Sequence, residues 1–152
     1  FQALLEHHGG SVEPCGPVHG KSIPMTLTEA GAMHPVFQGL ATDTEPDQPG
    51  HLGTQVPVAR YHSLGCTDLP RGMRCLARTS TDIGEVAMAA ETDDGSALGV
   101  QFHPESVLTQ GGHRILANWL EIVGDPGAVA RSEGLSPLVR DAEGVARMVA
   151  AG

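Results

Sequence analysis

The chain has 152 residues, of which 40% are hydrophobic and only 3% aromatic, so it is long enough for one domain with an aliphatic core. Its formal net charge of −9, without any cluster of lysine or arginine, argues against nucleic acid and anionic membranes as partners. No apolar stretch approaches the roughly 18 residues that span a bilayer, and the cysteine spacing fits neither a disulfide framework nor zinc, so we expect a cytoplasmic protein.

The chain begins without a methionine and inside a predicted helix over residues 1–8, which a pair of glycines ends. Because domains rarely begin so abruptly, we expect the sequence to be a fragment. None of the three cysteines, Cys15, Cys66 and Cys75, stands where a strand turns into a helix. Each is interpreted as a packing or surface residue.

Short strands and loops are predicted next. Residues 17–22, P-V-H-G-K-S, are typical of a loop, in which Gly20 indicates an unusual backbone angle. Alternating apolar residues predict a half-buried strand over 23–27, and residues 34–40 predict a short helical turn. Residues 41–55 are rich in Asp, Thr, Pro and Gly and predict a surface loop.

Strands dominate the following part of the chain. Residues 56–64 predict a strand that ends in R-Y-H-S-L. Three more strands are predicted at 73–78, 85–90 and 97–102. The Asp-Asp-Gly sequence at 93–95 predicts a hairpin turn between the last two.

The C-terminal part contains one clear helix. Apolar residues at helical spacing predict a helix over 111–123, with Thr109 as N-cap and Trp119 in the core. Residues 124–152 begin with glycine and proline and form either a tail packed on the domain or a linker. Within them, residues 141–150 have the pattern of an amphipathic terminal helix.

The candidate catalytic residues are His103 and Glu105, in the octet G-V-Q-F-H-P-E-S at residues 99–106. In extended backbone, residues two apart project to the same face, so the imidazole and the carboxylate can share one site. A carboxylate beside a histidine fixes the ring tautomer and stabilises the protonated ring, as a base serving a Ser or Cys nucleophile requires. By itself, His-x-Glu is also compatible with a solvated surface pair.

The octet resembles the His-Pro-Glu segment of class I, triad-type glutamine amidotransferases. The continuation V-L-T-Q-G-G-H-R-I-L-A-N-W-L is similar to the glutaminase component of anthranilate synthase and aminodeoxychorismate synthase. R-Y-H-S-L, the opening F-Q, and P-V-H-G-K-S with Val18 in place of the usual Met resemble further segments of that family. The resemblance covers about residues 1–123.

The resemblance implies an α/β fold of the flavodoxin-like type, with a mostly parallel open sheet flanked by helices. Residues 1–123 would be the C-terminal part of the amidotransferase domain, and residues 124–152 a tail or linker.

The resemblance also implies roles for particular residues. His103 is the base and Glu105 its orienter, while Gln2, Ser63 and Leu64 bind the substrate glutamine, the latter two largely through main-chain groups. The nucleophilic Cys falls three residues before the start of this chain, and part of the oxyanion hole also lies upstream. The chain alone is therefore expected to be inactive.

The implied function is hydrolysis of glutamine, with ammonia delivered to a chorismate-using synthase as subunit or fused domain, and with no cofactor. Two alternatives remain. One is a catalytically inactive module that only docks on a synthase. The other is a metal hydrolase using some of the eight histidines, which the absence of an H-E-x-x-H pattern disfavours. The sequence does not distinguish tryptophan, folate and phenazine-type pathways.

Overall fold

The structure is a computed structural model that describes residues 1–43 and 53–135, together with the backbone of two short strands nearer the C-terminus. The helices are α1 (Gln2–His7), α2 (Glu29–Met33), α3 (Gly112–Ile122) and α4 (Ala128–Ser132), and Pro35–Phe37 form a 3₁₀ turn. The strands are β1 (Glu13–Pro14), β2 (Lys21–Leu27), β3 (Gln55–Arg60), β4 (Leu64–Gly65), β5 (Met73–Thr81), β6 (Gly84–Thr92), β7 (Leu98–Val100), β8 (Leu138–Arg140) and β9 (Ala146–Met148).

Five strands form one sheet in the order β3-β2-β5-β6-β7. Every pairing in this sheet is antiparallel, so the predicted mostly parallel arrangement is wrong for the described strands. The reason lies in the connections. Parallel neighbours need a crossover of a dozen or more residues, whereas Asp82 and Ile83 alone join β5 to β6 and the turn at 93–97 joins β6 to β7. The hairpin turn predicted at 93–95 is confirmed.

Segment 103–110 covers the outer edge of strand β3. The N–H of Gln110 donates to the Pro57 carbonyl at 3.1 Å, and the N–H of His103 approaches the Ala59 carbonyl at 3.4 Å. These bonds pair backbone carbonyls that the edge strand β3 would otherwise leave without a donor. The segment that follows β7 therefore lies against β3, at the other end of the strand order. The two motifs at 99–106 and 56–64 therefore lie side by side.

The core lies between the sheet and the helices α2 and α3, and it is mainly aliphatic, as the composition predicts. Its members share near-complete burial: Met25, Leu27, Val36, Phe37, Leu40, Val56, Val58, Leu76, Ala77, Met88, Ala89, Phe102 and Ile115. A smaller cluster joins α1 to the sheet through Leu5, Cys66, Met73 and Ala90. Among the described residues, no helix is both long and apolar enough to cross a membrane.

Helix α3 forms where the sequence predicts a helix, but it presents a different face to the core. Asn118 is buried because its side-chain amide donates to the carbonyls of Val36 and Gln38, each at 3.0 Å. This contact and buried Ile115 fix the rotation of the helix, so Trp119 is 45% exposed and its predicted place in the core is wrong. Helix α4 packs against the side of α3 through Ala128.

The C-terminal residues are described only in part. Strands β8 and β9 pair antiparallel, so residues 146–148 are extended where the sequence indicates a helix over 141–150. The rest of that predicted helix lies outside the described residues, as does most of the predicted loop at 41–55. The division into a domain at 1–123 and a tail at 124–152 stays a prediction.

Candidate active site

His103 and Glu105 meet directly in the structure. The Nδ1–H of His103 donates to Oε1 of Glu105 at 2.7 Å. This bond assigns the ring proton to Nδ1 and leaves Nε2 as the atom able to accept a proton. Nε2 makes no hydrogen bond with the described part of the chain. The arrangement is that of a base held by a carboxylate.

A turn brings these two residues together, not the extended backbone that the sequence predicts. Strand β7 ends at Val100, and the N–H of Ser106 donates to the carbonyl of His103 at 3.2 Å. Pro104 and Glu105 occupy the centre of that turn. Since Pro fixes its own backbone angle, it favours the turn that returns the Glu105 side chain to the imidazole.

The electrostatics keep Glu105 charged. The hydrogen bond from His103 lowers the pKa of the Glu105 carboxyl below its usual value. The Glu105 side chain is 69% exposed and that of His103 is 43% exposed. An ionised carboxylate therefore faces a ring that substrate can reach from solvent.

Thr109 holds the backbone of the base in place, a role that the N-cap prediction missed. Its hydroxyl donates to the His103 carbonyl at 2.5 Å and accepts from the Ala59 N–H at 2.9 Å. Thr109 is only 1% exposed, so both bonds lie in a dry environment. The residue before α3 is Gly111, which has no side chain that could cap the helix, so the predicted N-cap is wrong.

Gly112 allows helix α3 to begin against the turn. A Cβ built on Gly112 would lie 1.8 Å from the carbonyl oxygen of Pro104, which no other residue could avoid without a backbone shift. The close approach fixes the distance between α3 and the turn that carries Glu105. The G-G pair in the sequence is the signal that could have indicated it.

The R-Y-H-S-L segment lies beside the candidate base. The Tyr61 ring packs on the His103 ring in a T-shaped arrangement, with centroids 5.0 Å apart and planes at 79°. His62 is buried, and its Nδ1–H donates to the Leu64 carbonyl at 2.8 Å. Burial is the main cause that lowers the pKa of His62, so this ring stays neutral near His103.

Ser63 and Leu64 follow at the exposed end of this segment. The Ser63 carbonyl accepts from the Cys15 N–H at 2.8 Å, and Leu64 pairs with Pro14 in the small β1–β4 ladder. Ser63 is exposed, and its N–H donates to no described residue. A main-chain donor is thus available a few residues from Tyr61, in the neighbourhood of His103.

Gln2 lies at the start of α1, near the strand that leads to the base. A Cβ built on Gly99 in β7 would approach the Phe1 and Leu4 side chains at 3.0 and 3.1 Å, so α1 packs closely on this strand. Gln2 itself is partly exposed and makes no hydrogen bond with His103 or Glu105. The role of Gln2 in binding substrate stays a prediction.

None of the three cysteines forms a hydrogen bond with His103. Cys15 is 1% exposed, and its Sγ lies 3.2 Å from Nη2 of Arg60 and 3.8 Å from Nδ1 of His62. Burial raises the pKa of the Cys66 and Cys75 thiols. Of the two roles predicted for the cysteines, packing or surface, the burial of Cys15 and Cys66 and the partial burial of Cys75 fit packing. Among the described residues, no group of three metal-ligating side chains could hold a metal ion.

A comparison with protein families identifies the family of this chain. The sequence profile of the family described as glutamine amidotransferase class-I matches residues 1–123. The chain belongs to the class I glutamine amidotransferase family, which confirms the resemblance that the motifs predict.

Particular relatives are named for one biosynthetic enzyme. The chain is 58% identical over 121 residues to anthranilate synthase component 2 of Corynebacterium glutamicum, covering 80% of this chain and 58% of that protein. It is 40% identical over 120 residues to the pyocyanine-specific anthranilate synthase component 2 of Pseudomonas aeruginosa, covering 78% and 50%. The chain thus spans about half the length of these curated relatives.

A solved structure supports the fold. A protein from Thermoplasma acidophilum, described as a putative subunit of GMP synthase, superposes with a TM-score of 0.59 at 22% identity, covering 87% of this chain and 55% of that one. At this identity the likeness concerns the fold alone. It confirms the α/β class that the resemblance implies, with the described strands antiparallel as above.

Proposed function

We propose that this chain is the part of a glutamine amidotransferase that carries the catalytic base, its orienter and part of the glutamine pocket. The observation that carries the proposal is the 2.7 Å bond from His103 Nδ1 to Glu105 Oε1, within a chain of this family. The reaction is hydrolysis of glutamine to glutamate and ammonia.

In this mechanism the thiol of the upstream cysteine loses its proton to Nε2 of His103, and its sulfur attacks the carboxamide carbon of glutamine. The tetrahedral oxyanion collapses to a glutamyl thioester. Ammonia leaves with the proton that protonated His103 returns. Water then attacks the thioester, His103 again accepts and returns the proton, and glutamate and the free thiol are released. Glu105 stabilises the protonated ring in both halves.

The substrate pocket is proposed around the end of R-Y-H-S-L. The free N–H of Ser63 suits the carboxylate of glutamine, because a main-chain donor is fixed by the fold and needs no side-chain ordering. Leu64 would line the same place, and Gln2 would contact the substrate from the start of α1. Metal hydrolysis, the other enzymatic alternative, has no supporting observation among the described histidines.

The proposed recipient of ammonia is a chorismate-using synthase, with anthranilate synthase favoured because both relatives described above are named as its component 2. The synthase could be a separate subunit or a fused domain, and the protein would act in the cytoplasm. No cofactor is required, since the nucleophile, base and main-chain donors supply every step.

The testing experiment uses the full reading frame that contains this chain. His103→Ala should lower glutaminase activity by about three to six orders of magnitude, because the thiol then loses its general base. His8→Ala, on the exposed end of α1, is the matched histidine control and should retain activity.

Free ammonia supplied to the His103→Ala protein with its synthase should restore product formation. Failure of that rescue would assign His103 a structural role. If the unaltered full-length protein shows no glutaminase activity while it still binds the synthase, the docking-module alternative is correct.

A further inference from the structure

Tyr61 stands between the candidate base and a separate loop. Its ring packs edge to face on His103, at 5.0 Å between centroids. Its hydroxyl lies 3.4 Å from Oγ of Ser106, in the turn that carries Glu105. Tyr61 is 42% exposed, so this packing is not required to fill the core.

The loop before β2 lies beside the same ring. Gly20 has a φ of +63°, a backbone conformation in which residues with a side chain are strained. A Cβ built on Gly20 would lie 3.4 Å from Cε1 of Tyr61 and 3.9 Å from its hydroxyl oxygen. The backbone at Gly20 therefore lies beside the tyrosine ring, and a methyl group added there would be in van der Waals contact with it.

The His103 ring has two constraints that act on different motions. Glu105 fixes Nδ1 by a hydrogen bond, but a single bond to an exposed carboxylate still permits the ring to tilt. The T-shaped contact with Tyr61 opposes that tilt, because aromatic pairs favour this arrangement. The direction of Nε2, which must face the nucleophile and then the leaving group, thus depends on Tyr61.

We propose that Tyr61 is a positioning residue that sets the plane of the His103 ring and couples it to the loop at Gly20. Displacement of that loop then changes the orientation of the base through one aromatic ring. The catalytic consequence rests on the proposed function, whereas the physical coupling does not. The two parts are therefore tested by separate measurements.

The coupling is tested on the 152-residue chain by NMR of the ring protons of His103, assigned with a His103→Gln variant. Tyr61→Leu should shift these resonances, since the aromatic contact is lost. Tyr61→Phe keeps the ring and should preserve them. Melting curves of the variants establish that they fold. Unchanged His103 resonances in folded Tyr61→Leu would overturn the proposal.

A double-mutant cycle tests the path from the loop. Gly20→Ala should shift the His103 resonances in the unaltered chain but not in the Tyr61→Leu background. Gly72→Ala is the control, because Gly72 also has a positive φ, +83°, but has nothing within 4 Å of its Cβ position. Equal effects of Gly20→Ala with and without the tyrosine ring would contradict the coupling.

The catalytic part is tested in the full-length amidotransferase. Tyr61→Leu should lower kcat by about ten- to a hundredfold with KM for glutamine unchanged, and Tyr61→Phe should restore kcat. A rise in KM at constant kcat would instead make Tyr61 a substrate contact and would overturn the positioning role. Absence of glutaminase activity in the unaltered protein would remove the proposed function, while the NMR result would still decide the coupling.

Discussion

At the scale of the residue, the hydrogen bond between His103 and Glu105 contributes to orientation more than to stability. The bond lowers the pKa of Glu105, so its stabilising contribution is present above the usual carboxyl pKa and is lost as the pH falls through the lowered value. Because the Glu105 side chain is 69% exposed, this contribution is about 0–1 kcal/mol. Its removal should therefore affect catalysis without unfolding the protein.

Glu105→Gln tests that separation in the full-length protein. The amide keeps the size and hydrogen-bonding capacity of the carboxylate but removes the charge that stabilises protonated His103. We expect kcat to fall by about 10²–10⁴-fold, less than in His103→Ala, with almost no change in melting temperature. Glutaminase kinetics beside a melting curve provide the measurement. Near-normal turnover would show that the pair is only a surface contact.

Thr109 is the residue whose role the sequence hides. A threonine shortly before a predicted helix is typical of an N-cap. Nothing in the local pattern indicates that its hydroxyl bonds the His103 carbonyl and the Ala59 N–H. That role arises from tertiary packing of segment 103–110 on β3. His103 and Glu105 could be predicted, because their pairing is local; the buried support behind His103 could not.

Thr109→Val is nearly isosteric and removes only the hydroxyl. It leaves the Ala59 N–H buried without its acceptor and the His103 carbonyl with the Ser106 N–H as its remaining donor, which should cost about 1–3 kcal/mol of folding free energy. Chemical denaturation of the 152-residue chain measures this. Thr81→Val is the control, since its hydroxyl bonds the Gly84 carbonyl at an exposed hairpin. Equal losses in both variants would contradict a special role for Thr109.

At the scale of the element, the strands were easier to predict than the way in which they pair. Alternation of apolar residues indicates where β2, β3, β5 and β6 lie. It does not indicate whether neighbouring strands run parallel or antiparallel. The short β5–β6 connection at Asp82 and Ile83 decides that these two are antiparallel. The family resemblance implies a mostly parallel sheet, whereas the short hairpin connections make the described strands antiparallel.

Helix α3 shows a similar limit. Its extent could be predicted from periodicity, but its rotation depends on Asn118, a polar residue that finds two carbonyl acceptors on the 3₁₀ turn segment. A pattern that counts only apolar residues places Trp119 inside and Asn118 outside. In the structure the side-chain amide of Asn118 is buried because both of its hydrogen bonds are made, and Trp119 is on the exposed side.

This rotation yields a stability prediction. Asn118→Ala should destabilise the 152-residue chain by about 1–3 kcal/mol, because it leaves the carbonyls of Val36 and Gln38 without their donors. Trp119→Ala, on the half-exposed face, should cost less than Asn118→Ala despite removing a far larger side chain. Urea denaturation of both variants provides the comparison. The opposite order would place Trp119 in the core.

At the scale of the whole molecule, the described chain places the candidate base His103 beside its candidate orienter Glu105, with no exposed thiol next to them. Cys15 and Cys66 are each 1% exposed, and Cys75 is partly buried. The site is also open, since His103 and Glu105 both face solvent.

The 152-residue chain alone should therefore release no glutamate from glutamine above the buffer rate, because no thiolate can reach a substrate carboxamide held near His103. The full-length protein, measured beside it, should be active, and replacing the cysteine that the family resemblance implies three residues before Phe1 with serine should abolish that activity. If the 152-residue chain proves active, Cys15→Ser, Cys66→Ser and Cys75→Ser decide which internal thiol attacks. Loss of activity in Cys15→Ser would mean that its pocket beside Arg60 and His62 opens in solution, and it would transfer the role of nucleophile to a residue that the structure shows buried.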